Sequence, residues 1–304
     1  MNSTNIVASM LGMVLLFAAP IQADVPSAGG LDIKAIEQAM GKPGELKDDV
    51  YKISLPRKDL SVSINGVKLK PGFALGSWVA FEGIGTEAVM DGDLVLTEEE
   101  VGPVLAKLRK EGIEVSALHN HLIGEIPRVM YVHVAGKGQA VSMAAHLKDA
   151  LNLTGTPIEA TAKGSEITSK SATDEPGFDA KLIQKELGHQ GKMKDGVLQI
   201  SVPRPESIKM AGATLPPSMG MATALNFQSA GERKVAATGD FVMVKQEVDR
   251  VTKALTEHGI LITALHNHLV HGSPDLYFMH FWADDSAEKV AKGLRAGLDA
   301  MKKG

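Results

Sequence analysis

The chain has no cysteine. That excludes disulfides, thiolate metal sites and cysteine nucleophiles. A protein of 304 residues needs no disulfides for export, so their absence leaves the compartment open. It also lacks a basic excess: 32 Lys and Arg stand against 36 Asp and Glu, for a net charge of −4. Without a basic footprint no nucleic-acid partner is expected. Nor is there a run apolar enough for a membrane helix after the first residues, so no membrane span is expected in the mature chain.

What is present is an ordinary globular composition, 44% hydrophobic and 22% charged, enough for one or two buried cores. Residues 1–23 carry no charged side chain, and Ile6 to Ala19 is a short apolar run followed by Pro20-Ile21-Gln22-Ala23. This pattern predicts a secretory signal peptide cleaved after Ala23, although it lacks the usual basic start. The expected destination is the periplasm or the medium. No cysteine follows the run, so no lipid anchor is expected.

Sliding the sequence against itself by 147 positions aligns residues 31–150 with 178–297. Asp32, Gly41, Ser54, Pro56, Arg57, Gly92-Asp93 and Gly112-Ile113 meet Asp179, Gly188, Ser201, Pro203, Arg204, Gly239-Asp240 and Gly259-Ile260. A constant offset marks an internal duplication: repeat 1 over 24–151, a Thr/Ser/Gly/Pro-rich linker over 152–177, repeat 2 over 178–304. Residues 58–91 and 205–238 have lost their similarity and read as the loops that differ. The repeats either form separate domains, each with a site, or pack about a pseudo-twofold axis and share one cleft. Length permits both.

Each repeat predicts the same elements. A short helix over 31–41 is closed by Gly41, and a strand with alternating Tyr51, Ile53 and Leu55 ends at Pro56. Short strands follow over Ser77–Glu82 and Ala88–Leu96. Thr97 and Glu100 form a capping box before a stripe of Val101, Val104, Leu105 and Leu108, with Pro103 expected to kink the first turns. Two further strands and a helix bearing Ala140, Ala144, Leu147 and Leu151 complete the repeat. The fold class is α+β, with a mainly antiparallel sheet and helices on one side.

The strongest signal is Ala117-Leu118-His119-Asn120-His121-Leu122, repeated as Ala264-Leu265-His266-Asn267-His268-Leu269, with His133 and His280 following at equal distance. If Gly124-Glu125-Ile126-Pro127 is the turn of a hairpin, facing residue numbers add to about 252. His119 then opposes His133, with His121 on the same face; His266 likewise opposes His280 beside His268. Imidazoles from such positions can converge on one ion. Three histidines with an open position suit zinc, which acidifies bound water; copper is the second expectation.

Weaker candidates surround these. Glu125 is a general-base candidate in repeat 1 alone, because Gly272 takes its place in repeat 2. Arg57 and Arg204 at matched strand ends, and Arg128 in the turn, are candidates for binding an anionic small molecule. Asp93 and Asp240 could orient a histidine, but Gly-Asp reads more simply as a turn. His271 could add a ligand. Asn120 and Asn267 point to the other face.

The string Ala-Leu-His-Asn-His-Leu, with Pro127-Arg128 and Tyr131-Val132-His133, resembles the LppY/LpqO family of exported bacterial proteins, a domain of unknown function. The resemblance covers both repeats. It implies an exported, duplicated α/β protein and supplies no activity. Two departures are the missing lipoprotein cysteine and the second turn, Gly272-Ser273-Pro274-Asp275. The expectation is an exported protein binding a divalent metal through its histidine clusters, with metal-dependent hydrolysis as the chemistry such a site would support. The alternative is a non-catalytic binding protein for an anionic or sugar-like ligand.

Overall fold

The computed structural model describes residues 29–84, 87–158, 177–210, 212–270 and 272–302. The expected signal peptide, most of the expected linker and His271 lie outside these residues.

Repeat 1 begins with α1 (Ile33–Met40) and strands β1 (Glu45–Lys47) and β2 (Val50–Pro56). An arm of β3 (Ser63–Ile64), β4 (Val67–Lys68) and the short α2 (Pro71–Ala74) follows. Then come β5 (Gly76–Ile84), β6 (Glu87–Thr97), α3 (Glu98–Lys110), β7 (Glu114–His119), β8 (Val129–Gly138) and α4 (Ala140–Leu151). Repeat 2 holds α5 (Ala180–Leu187), β9 (Lys192–Lys194) and β10 (Val197–Pro203), then β11 (Ile208–Met210) and β12 (Ala213–Leu215). It continues through β13 (Ala222–Gly231), β14 (Lys234–Val244), α6 (Val248–Glu257), β15 (Leu261–His266), β16 (Gly272–Ser273), β17 (Leu276–Ser286) and α7 (Ala287–Met301).

The two large sheets run β1-β2-β5-β6-β8-β7 and β9-β10-β13-β14-β17-β15, the same order, with antiparallel pairing throughout. The α+β class with antiparallel sheets follows directly.

Local chemistry sets the ends of the elements. Asp32 and Asp179 accept from the backbone of Ala35 and Leu182 as N-caps, and Gly41 and Gly188 close their helices in the left-handed region at φ 76° and 71°. The Thr97 amide donates to Glu100 at 2.9 Å, as a capping box requires. Val244 replaces the threonine in repeat 2, and only the return arm from Glu247 survives, at 2.8 Å. Helix α3 runs unbroken through Pro103.

Strand alternation sorts the side chains into two environments. Ile53, Val79, Met90, Leu94, Val132 and Val134 face α1, α3 and α4 in one core, and Phe227, Ala237, Phe241 and Phe281 face α5–α7 in another. The opposite faces meet each other. Val50, Ala80, Val89 and Ala135 pack with Val242, Leu276 and Phe278, while Val95, Val129 and Tyr131 pack with Val197, Ala236 and Trp282. The order of layers is therefore helices, sheet, sheet, helices, and the repeats share an inter-sheet core.

Two sequence expectations change. The diverged segments are not only loops. They also carry the sheet strands β5 and β13, together with arms of different design. Residues 152–158 are not free linker, since Ile158 packs into the first core and the Gly155 amide donates to Glu100 at 2.9 Å.

Arg57 is fully buried. It donates to Asp59, to Glu100 at 2.7 and 3.0 Å and to the Val95 carbonyl at 2.6 Å. Arg204 repeats the arrangement with Glu206, Glu247 and the Val242 carbonyl. These side chains tie a strand end to a helix start and have no donor left for a ligand. Removing one partner of such a buried pair costs about 3–5 kcal/mol. Arg57→Ala is expected to lower unfolding free energy by roughly that amount in chemical denaturation; a loss of under about 1 kcal/mol would mean the pair behaves like a surface one.

Candidate metal centre

The histidine strands lie at the sheet edges, and their histidines point into the inter-sheet layer. Ala117 pairs with His133 and His119 with Tyr131, and likewise Ala264 pairs with His280 and His266 with Phe278. The expected register, His119 opposite His133 and His266 opposite His280, is therefore out by one pair. The connection sets the offset, because it is not a tight turn centred on residue 126; a β-bulge between Val115 and Ala117, repeated between Ile262 and Ala264, changes the pairing only on the far side of the histidines. Ile126 leaves the hairpin to bridge Ser63 of the arm, and Ile126-Pro127 is cis. His121 lies two residues beyond the strand, past Asn120. It reaches the cluster from the loop.

All six histidines meet in one place. The rings of His119 and His266 stack with centroids 3.7 Å apart, as do those of His121 and His280 and those of His133 and His268. Exchanging repeats turns the last two pairs into each other and the first into itself. The pseudo-twofold axis thus runs between His119 and His266. Tyr131 lies 3.4 Å from His121, and its counterpart Phe278 lies 3.7 Å from His268. Of the two readings of the duplication, the shared site is the one observed.

Ligand nitrogens of His119, His121 and His133 all lie within 4.8 Å of one another, and so do those of His119, His266 and His280. The second set takes His119 from repeat 1 where the sequence pattern put His268, which stacks on His133 instead.

Eight imidazole nitrogens in the cluster are buried without a hydrogen-bond partner: Nε2 of His119, His121 and His280, Nδ1 of His268, and both nitrogens of His133 and His266. Buried polar atoms almost always find partners, and leaving one unpaired costs about 1–3 kcal/mol. Burial, reinforced by neighbouring histidines, holds His121, His133, His268 and His280 well below the ordinary imidazole pKa, and His266 falls to about 3. Burial also lowers His119. The rings are therefore neutral, with lone pairs free: the state a metal ion requires.

Three carboxylates share this layer. Asp93 sits mid-strand opposite His133, and Asp240 opposite His280. Gly-Asp is thus not a turn. Gly92 is needed because a Cβ there would lie 2.8 Å from the Trp78 carbonyl oxygen of the adjacent strand. Asp93 Oδ2 is 3.9 Å from His121 Nε2, and its Oδ1 is 3.9 Å from His133 Nε2. Burial raises Asp91 and Asp240 to about 7, and burial with its two acidic neighbours raises Asp93 well above the usual carboxylate range. Lys52 lies 3.8 Å over the Trp78 ring and donates to the Ser218 carbonyl. Burial pulls it down to about 8 against the pull of Asp91, Asp93 and Asp240.

Sequence reasoning passed over Lys52, Asp91 and Tyr131. The first two have Gln199 and Thr238 at the matching positions, so the duplication gave no signal for them.

The loops are held across the halves. Asn120 donates to the carbonyls of Leu122 at 2.8 Å and Thr263 at 3.1 Å, and the Thr263 hydroxyl donates to the His121 carbonyl at 2.5 Å. Glu125 is buried, with both carboxylate oxygens unpartnered. Arg128 is exposed, 4.0 Å from Glu98.

The family model for a domain described as "Domain of Unknown Function (DUF1259)" matches twice, over residues 34–153 and 181–300. The chain belongs to this family. Its two matches coincide with the two sheet-and-helix halves, so each half is one family domain and the histidine cluster lies between them. No curated protein matches the chain. Among solved structures it is similar to the trimeric bacterial microcompartment shell protein PduB, at 12% identity, with 91% of this chain and 92% of that chain covered and a TM-score of 0.21. It is also similar to EtuB from Clostridium kluyveri, at 8% identity, 85% and 91% coverage and a TM-score of 0.20. Scores this low carry nothing over to this chain.

The buried charges set a pH response. Depressed histidines bind protons in the unfolded chain below 6.5, which the folded chain refuses, so stability falls with pH in that window. Raised carboxylates act oppositely between their ordinary value of 3.8 and about 7. Six imidazoles outweigh three carboxylates. Metal-stripped protein should therefore melt at a lower temperature at about pH 5 than at about pH 7 in calorimetry, and a higher one would contradict the neutral cluster.

Proposed function

We propose that the chain is an exported protein whose histidine cluster binds a divalent metal, zinc first and copper second, and that it acts as a metal-dependent hydrolase. The observation that carries the metal reading is the set of unpartnered imidazole nitrogens. Among the described residues no hydrogen-bond partner meets these nitrogens, whereas one ion would engage several of them at once. A divalent ion held there would acidify water and polarise a substrate oxygen.

The chain's own residues supply the rest. Glu125 is the general base: it follows the His-Asn-His segment, is buried and has both oxygens free. Arg128, exposed on the same loop, receives an anionic substrate group. Arg57 and Arg204 take no part, because their donors are spent within the fold. That removes the main support for a purely ligand-binding role. Export rests on the uncharged leader and on the likeness to the LppY/LpqO proteins.

Protein purified without an affinity tag is expected to carry stoichiometric metal in elemental analysis, and His119→Ala combined with His121→Ala should lose it. Unchanged metal content in that folded double variant would overturn the metal reading. Glu125→Gln is expected to keep the metal and lower turnover of p-nitrophenyl esters or phosphates by about 100-fold or more; equal turnover would remove Glu125 as the base. Cell fractionation should find the chain outside the cytoplasm, beginning at Asp24.

A further inference from the structure

We propose that Asp93 is itself a ligand, so that one ion is held by His119, His121, His133 and Asp93, while repeat 2 holds none. This rests on the metal reading above and says which side of the pseudo-twofold axis is loaded and with what donors.

The first observation concerns His119. Both sets of converging histidines include it. Its Nδ1 lies 3.1 Å from the Asn120 carbonyl oxygen, which can only accept, so Nδ1 carries the proton and Nε2 offers the single lone pair. Two sets competing for one lone pair fill one at a time.

Asp93 decides which. Its two oxygens each lie 3.9 Å from a histidine Nε2, one facing His121 and the other His133. That is too long for a hydrogen bond. It suits donors around a common ion: ligands at about 2.0–2.2 Å from a centre stand roughly 3.0–4.2 Å apart, depending on the angle. Asp93 is buried, its Oδ1 has no partner, and the two nitrogens it faces have none either. Asp93 stands beside the set of histidine nitrogens that lie within 4.8 Å of one another, on the side of His121 and His133.

Repeat 2 has the same residue in the same register but not the same vacancy. Asp240 pairs across the ladder with His280, yet neither of its oxygens is a buried, unpartnered atom as Asp93 Oδ1 is. His268, which would complete that side, belongs to neither set of converging nitrogens.

Three imidazoles and a carboxylate fill a tetrahedral zinc ion. An ion that takes five or six ligands, such as iron(II) or manganese(II), keeps a position open on this set. Zinc on this set keeps the chemistry proposed above by expanding to a fifth ligand.

Cobalt(II) titration of the metal-stripped full chain, followed by visible absorption, tests the assignment. Wild type should bind one ion. Asp93→Asn, nearly isosteric and relieved of a buried charge, should bind at least 10-fold more weakly with an altered spectrum, while Asp240→Asn matches wild type in both. Circular dichroism establishes that each variant is folded; if Asp93→Asn is not, Asp93→Ser replaces it under the same expectation. Equal affinity and spectrum for the Asp93 variant, an equal loss in the Asp240 variant, or two ions per chain would overturn the proposal while leaving the histidine site standing. No binding by wild type would overturn both.

Discussion

The structure depends on one unusual constraint: six imidazoles, three buried and three half-buried, lie between two sheets with most of their nitrogens unpaired. Everything else at the centre follows from where strand alternation puts them. Residues of β8 alternate between the helix side, where Val132 and Val134 join an aliphatic core, and the inter-sheet side, where Tyr131 and His133 lie. The helices stabilise each sheet from outside and leave the inner face free for polar groups. Ring stacking between the repeats supplies the van der Waals contact that hydrogen bonds do not.

The two repeats share a plan and differ in chemistry. Lys52, Trp78 and Asp91 in repeat 1 correspond to Gln199, Leu225 and Thr238 in repeat 2. Asn120 is bonded across to Thr263, whereas its counterpart Asn267 is exposed. Thr263 in turn corresponds to Ser116, whose hydroxyl is buried without a partner. The polar apparatus is concentrated on one side of the axis, and the capping network is also tighter there, with Thr97 in place of Val244.

Much of this was legible in the sequence because it is local. The Asp caps, the left-handed Gly41 and Gly188, the Glu100 capping arm and the alternating strands all follow from residue type and spacing. The histidines announced themselves through exact recurrence at one offset. What escaped depended on long-range geometry. The connection between the two strands, from which the arm captures Ile126, shifted the ladder by one pair. Arg57 looked like an anion receptor because its carboxylate partner Glu100 is 43 residues away. Gly92-Asp93 looked like a turn because close approach between strands leaves the same glycine signature as a bend. That both triads would fold into one cluster could not be read from either repeat alone, since it belongs to the contact between them.

The stacked pairs His121–His280 and His133–His268 are two images of a single contact, related by the axis that passes between His119 and His266. Such a surface is self-complementary. A chain carrying one repeat can bury it only against a second copy of itself, and in that homodimer each substitution would appear twice. Fusing the copies lifts the restriction: Lys52 can donate to the Ser218 carbonyl of the other half while the matching position in repeat 2 carries Gln199 and no second lysine. Covalent linkage of the halves is thus what permits a symmetric scaffold to hold an asymmetric interior.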